Sequence, residues 1–143
     1  MDIKKTVSAL VRKCGSRDPF DIIQQLNVIL VYYPLKDVHG FYQYFQRNNL
    51  IYIDESLPIQ ERYFVCAHEL GHMLLHKKSN AVFLDSRTFL KSSKYEIEAD
   101  RFAMNLLVSD SEIEQYLFLS CEQMSRLFGY HKRLIDLRIQ DFM

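Results

Sequence analysis

Apolar side chains recur at helical spacing in Ile3, Val7, Leu10 and Val11, and Gly15 closes that stretch. Asp18-Pro19 then reads as a helix start, with Asp as the capping residue and Pro at the first helical position. That helix is expected to run to about Leu26. Val28 to Tyr33 is a β-branched and aromatic run ended by Pro34, hence a strand. Gly40–Phe45 and Leu50–Ile53 are two further strands, with Arg47-Asn48-Asn49 between them suited to a hairpin turn. A small, mostly antiparallel sheet therefore follows the first helices. From Pro58 to His76 the pattern is helical again, and Phe64, Val65, Cys66, Ala67, Leu70, Met73, Leu74 and Leu75 cover nearly every direction round the axis. A helix apolar on all sides belongs in the middle of a fold. Its histidines are costly there unless something satisfies them.

A second helical stretch spans Tyr95 to Leu107, and Ser109–Leu119 and Ser120–Met143 read as further helices. Ser120-x-x-Gln123 is a capping box, and Gly129 marks a helix end. Arg126, Lys132, Arg133 and Arg138 around Gly129 give this region a loose likeness to a helix-turn-helix; the plainer reading is that these helices close the core.

At 143 residues the chain suits one domain, residues 1–143, with one hydrophobic core. The formal net charge of zero gives no support to binding a phosphate backbone, so no direct nucleic-acid partner is expected. No stretch has the length of a membrane span, and the N-terminus lacks the pattern of a secretory leader. Cys14, Cys66 and Cys121 are odd in number and far apart, which suits reduced thiols in a cytoplasmic protein. A monomer is expected.

The chemistry lies in His68-Glu69-Leu70-Gly71-His72. Histidines at i and i+4 share a helix face about 6 Å apart along the axis, so two imidazoles can converge on one ion. Glu69 is turned about 100° from His68, too far for a ligand but placed to take a proton from a water. The competing explanation is a pair of histidines hydrogen-bonded within the core. Gly71 in mid-helix costs about 1 kcal/mol against Ala, which points to a neighbouring element in close approach.

A catalytic zinc site needs a third protein ligand and a free position. In Tyr95–Leu107, helix phase puts Glu96 and Asp100 in the apolar arc, whereas Glu98, Arg101 and Asn105 cluster on the opposite, polar face. Glu96 is therefore the expected third ligand. Asp100, one turn on, is placed to hydrogen-bond a ligating histidine. The alternative for this pair is a wet helix edge. Ala99 and Ala103 offer a surface on which Gly71 can pack closely. His76 has drifted about 80° from His68 and is assigned to an interaction with its own helix end. Tyr42, Tyr95, His39 and His131 are each candidates to stabilise an oxyanion, and the sequence does not choose among them.

His68-Glu69-Leu70-Gly71-His72-Met73-Leu74-Leu75-His76, followed by Glu96-x-Glu98-Ala99-Asp100-x-Phe102-Ala103-x-x-Leu106-Leu107, resembles the ImmA/IrrE family of metallo-endopeptidases. The resemblance covers about residues 40–110; the N-terminal forty and C-terminal thirty residues match only in layout. It implies His68, His72 and Glu96 as ligands of zinc, with manganese or iron also suited to the set, and Glu69 as catalytic base. It implies a zincin-like α+β domain with a buried motif helix, a second, glutamate-bearing helix and a helical C-terminus, residues 111–143. It further implies a protein substrate, a helix-turn-helix repressor of a phage or mobile element, whose cleavage relieves repression. The chain departs from the family pattern at Leu107-Val108-Ser109-Asp110, where Leu-Leu-Met-Pro is frequent. The competing classes are a module that grips a repressor or toxin without cutting it, and a DNA-binding regulator acting through the C-terminal helices.

Overall fold

The computed structural model describes residues 2–76 and 93–143. Helix α1 (Ile3–Cys14) starts at Asp2, whose side chain accepts from the Lys5 amide, and ends at Gly15 in the left-handed conformation. Val7 and Leu10 are its buried residues. Asp18 caps α2 (Pro19–Gln25) by accepting from the Phe20 amide, and Ile22 and Ile23 enter the core. Both helices begin and end close to where the capping residues predict.

Three strands follow: β1 (Ile29–Tyr33), β2 (Gly40–Phe45) and β3 (Asn48–Asp54). Their order is β1-β3-β2, with β3 antiparallel to β2 and parallel to β1. The sheet is thus mixed, where mostly antiparallel pairing is expected from the sequence. The reason is which strand takes the centre. β1 and β3 both run opposite to β2, so placing β3 between the other two makes its pairing with β1 parallel. β3 occupies the centre because Ile51 and Ile53 are wholly buried, whereas Tyr32 and Tyr33 of β1 are exposed. Residues 34–39 carry the chain past the end of β3, where the Asp54 amide donates to the His39 carbonyl at 2.8 Å.

The hairpin turn falls one residue earlier than expected, on Gln46 and Arg47, both with positive φ (49° and 66°). A two-residue turn of this kind matches the right-handed twist of the flanking strands. Asn48 becomes the first residue of β3, and its side chain steadies the turn by donating to the Gln46 carbonyl at 3.1 Å.

The motif helix α3 (Ile59–His76) crosses the middle of the molecule, with Cys66, Ala67, Leu70 and His72 fully buried. Gly40 allows β2 to meet it: a Cβ there would lie 2.5 Å from both the Tyr52 carbonyl oxygen and Val65 Cγ1. The glutamate helix α4 (Lys94–Leu107) packs along α3, its start capped by Ser93. Gly71 faces α4 as anticipated, but the group it admits is Phe102, not the two alanines. A Cβ on Gly71 would sit 3.0 Å from Phe102 Cδ1.

Ser109 and Ser120 form capping boxes with Glu112 and Gln123, starting α5 (Asp110–Gln115) and α6 (Cys121–Phe128). Gly129 ends α6 in the left-handed conformation, and α7 (Lys132–Phe142) follows. One apolar cluster joins α1, α2, the sheet, α3 and part of α4, while a second holds Met104, Val108, Ile113, Met124, Leu134 and Ile135. The expected polar face of α4 meets water only in part. α7 covers part of it, burying Asn105 and linking Arg101 and Asn105 to Asp141 at 2.7 and 2.9 Å. Among the described residues, no helix is long and apolar enough to cross a membrane.

Candidate active site

His68 and His72 stand one turn apart on α3, their rings edge to face with centroids 4.8 Å apart. Both turn Nε2 toward one oxygen of Glu96: Oε2 lies 2.8 Å from His68 and 3.0 Å from His72. The ligand atoms of these three residues all lie within 4.8 Å of one another. Glu96 sits in the first turn of α4, where the helix dipole favours a carboxylate. Burial opposes its ionisation, but the hydrogen bonds with His68 and His72 outweigh that and hold its pKa at about 2. Two imidazole nitrogens and one ionised carboxylate oxygen on two rigid helices are a donor set that fits a divalent transition metal, with positions left over for a substrate.

Asp100 stands behind His68, with Oδ1 2.9 Å from Nδ1 but out of good hydrogen-bond alignment. Its other oxygen accepts from Arg133 of α7 at 3.0 Å. Burial works against a charge on His68, yet Asp100 and Glu96 overcome it and lift the histidine's pKa to about 10. Sequence reasoning missed Arg133 in this role, because only the packing of α7 on α4 brings it here.

Two placements differ from expectation. Glu98 is half-buried and turned toward α3, and His76 does not serve its own helix end. His76 is buried, with Nδ1 3.1 Å from His72 Nδ1 and Nε2 2.9 Å from Glu98 Oε1. The ring of Tyr95 packs edge-on against it at 4.7 Å. Burial lowers the His76 pKa, with Glu98 opposing. The signal available in the sequence was that His76 extends the i, i+4 series of His68 and His72, leaning toward the same neighbouring helix.

Glu69 projects from α3 into a cleft of about 680 Å³ that is also lined by His68, Glu96, Gly40 and His39. The side chain is buried, and among the described residues nothing hydrogen-bonds its Oε1. Burial raises its pKa, with His68 and His72 pulling the other way. The far wall is the turn between α6 and α7, including Tyr130 and His131. Gln60 at the start of α3 fixes that turn by donating to the Phe128 carbonyl at 2.6 Å. Of the four oxyanion candidates, His39 and His131 reach the cleft. Tyr42 is buried and bonded to Asn49, and Tyr95 packs on His76. Tyr130, whose hydroxyl burial pushes up to about 12, joins the cleft wall unforeseen. The basic residues near Gly129 are largely engaged within the protein: Arg133 with Asp100, Lys132 with Asp136, and Arg138 with Asp110 and the Val108 carbonyl.

A buried helix carrying two convergent histidines, a carboxylate from a second helix and a buried glutamate lining a cleft are the parts of a metallohydrolase. Comparison with known proteins agrees. Residues 23–138 match the IrrE N-terminal-like domain of the M78 peptidases. The chain is 39% identical over 115 residues to Uncharacterized immunity region protein 2 of Bacillus phage phi105, covering 80% of this chain and 73% of that protein. It is 27% identical over 143 residues to Metallopeptidase ImmA of Bacillus subtilis (strain 168), covering 96% and 83% of the two chains. The chain belongs to the ImmA/IrrE family of metallopeptidases.

Proposed function

We propose that this protein is a zinc-dependent endopeptidase that cuts a helix-turn-helix repressor and so relieves repression of a phage or mobile element. The observation that carries the catalytic part is Glu69: a buried carboxylate beside the His68–His72–Glu96 cluster that lines the cleft. His68, His72 and Glu96 are the residues that would hold the ion, two histidines and a glutamate being a known catalytic zinc set. When bound, the ion supplies Lewis-acid polarisation of the scissile carbonyl and acidifies water. Glu69 takes the proton from the attacking water on its carboxylate and hands it to the leaving amine. Its raised pKa suits both halves of that task. His39, Tyr130 and His131 are the donors available to the carbonyl oxygen as charge develops there.

The repressor part rests on kinship with Metallopeptidase ImmA and with the phi105 immunity region protein. β2 gives it a physical basis. It is an edge strand whose first residue, Gly40, lines the cleft, so an extended substrate segment can add to that edge and run past Glu69.

The test is incubation of the purified, zinc-loaded protein with the repressor of the same immunity region. Two fragments of fixed size are expected from the parent protein and none from Glu69→Gln, which still binds metal. Undiminished cutting by Glu69→Gln overturns the base assignment. An intact repressor that nevertheless releases its operator overturns the peptidase reading in favour of capture without cleavage.

A further inference from the structure

We propose that His76 and Glu98 are positioning residues that fix the ring and the tautomer of His72 so that its Nε2 presents a lone pair to the metal. The inference rests on the reading of His72 as a ligand and goes beyond it.

Glu98, His76 and His72 form a chain of polar atoms that starts from a group able only to accept. Glu98 as a carboxylate is an acceptor only, so the 2.9 Å contact with His76 requires the proton on His76 Nε2. A neutral imidazole has one N–H, so His76 Nδ1 is then an acceptor. The 3.1 Å contact between His76 Nδ1 and His72 Nδ1 must therefore use a proton on His72. With a metal on Nε2, a neutral His72 keeps its one proton on Nδ1, which is the arrangement that His76 and Glu98 favour. While no ion is held there, the 3.0 Å hydrogen bond between His72 Nε2 and Glu96 Oε2 claims the ring proton for Nε2; once His72 and Glu96 hold an ion, that proton belongs on Nδ1, toward His76. The chain of groups is shielded, the His76 side chain being 2% exposed and that of Glu98 18%. Tyr95, edge-on at 4.7 Å, blocks rotation of the His76 ring.

The two imidazoles of the motif are thus held by different means. Behind His68 stand Asp100 and Arg133, a carboxylate and a guanidinium. Behind His72 stand a second imidazole and Glu98, which transmit a hydrogen-bond direction rather than a full charge. Groups of this kind behind a ligand are commonly worth about 10–100-fold in metal affinity.

The test uses the full chain and the zinc ion itself. Zinc affinity is measured by competition with a chelator for the parent protein, Glu98→Ala, Glu98→Gln and His76→Phe, with circular dichroism of each metal-free protein as a check on folding. Glu98→Ala is expected to weaken zinc binding about 10-fold or more. Glu98→Gln, which keeps an acceptor oxygen, is expected to recover most of that loss. Nitrogen-15 NMR of the histidine rings gives a reading independent of metal and of activity: His76 should carry its proton on Nε2 in the parent protein. A His76 proton on Nδ1, or a folded Glu98→Ala variant with parental zinc affinity, overturns the proposal even if His72 is a ligand. Full zinc content in His72→Ala overturns instead the ligand reading beneath it.

Discussion

Helix α4 buries polar side chains on two faces, and the protein treats them differently. Toward α7, Arg101 and Asn105 meet Asp141, so that opposite charges close within one small group. Toward α3, Glu96, Glu98 and Asp100 meet His68, His72 and His76, with Glu69 nearby. On that side four carboxylates stand against three imidazoles and the guanidinium of Arg133. The first face is a neutral seam that holds two helices together. The second is a negative cluster whose balance improves when a cation enters, and it opens on the large cleft. Burial of charge by itself marks neither function nor stability. The excess of one sign, left for a ligand to offset, is what separates the site from the seam.

The largest expected effect comes from Glu69→Gln on the site side, a loss of about 10²–10⁴-fold in peptide cleavage with metal content retained. Gly71→Ala attacks the contact that brings the two site helices together. Its Cβ would stand 3.0–3.1 Å from three atoms of Phe102, and a destabilisation of about 1–3 kcal/mol is expected by thermal melting. Adding Phe102→Leu should return part of it; fully additive losses would show that the close approach is not the cause.

On the seam, Asp141→Ala removes the shared acceptor of Arg101 and Asn105, with an expected cost of about 1–2 kcal/mol. Zinc affinity should stay at the parental value, and a matching loss of affinity would abolish the distinction drawn between the faces. The smallest effect is expected at Asp110, which accepts from Arg138 at 2.6 Å and pairs with Lys4 at 2.8 Å. Burial opposes its ionisation, but Arg138 and Lys4 together outweigh it and lower its pKa below the ordinary 3.8. A lowered folded-state value means stabilisation that is present above 3.8 and disappears as pH falls through the lowered value. The melting-temperature gap between the parent protein and Asp110→Asn should accordingly be open at pH 7 and close in that acidic range.

How much of this was legible in the sequence depends on how far apart the interacting groups lie along the chain. The caps Asp18 and Ser120 act within three residues, and the helices they start are found close to where they predict. The hairpin was located but slipped by a residue, because an Asn pair is an obvious turn signal while Gln46-Arg47 is not. Gly71 signalled a close approach to α4, which the sequence assigned to Ala99 and Ala103. Phe102 is the group it meets, since the side of α4 that meets α3 is set by packing that no local rule fixes.

The sequence by itself determined that His68 and His72 share one face of one helix and that Glu69 points elsewhere. It also determined that Glu96 and Asp100 lie on the buried side of α4. These are consequences of 3.6 residues per turn within a continuous helix. Only the tertiary structure decided what occupies the remaining directions. α7 covers part of the face assigned to water, Glu98 reaches His76, Arg133 arrives behind Asp100, and the α6–α7 turn becomes a wall of the cleft. Helix phase gives a side chain a direction about its own axis. What waits in that direction depends on contacts between residues 22 to 88 positions apart, as in His76–Glu98 and Arg17–Asn105, which no periodicity encodes.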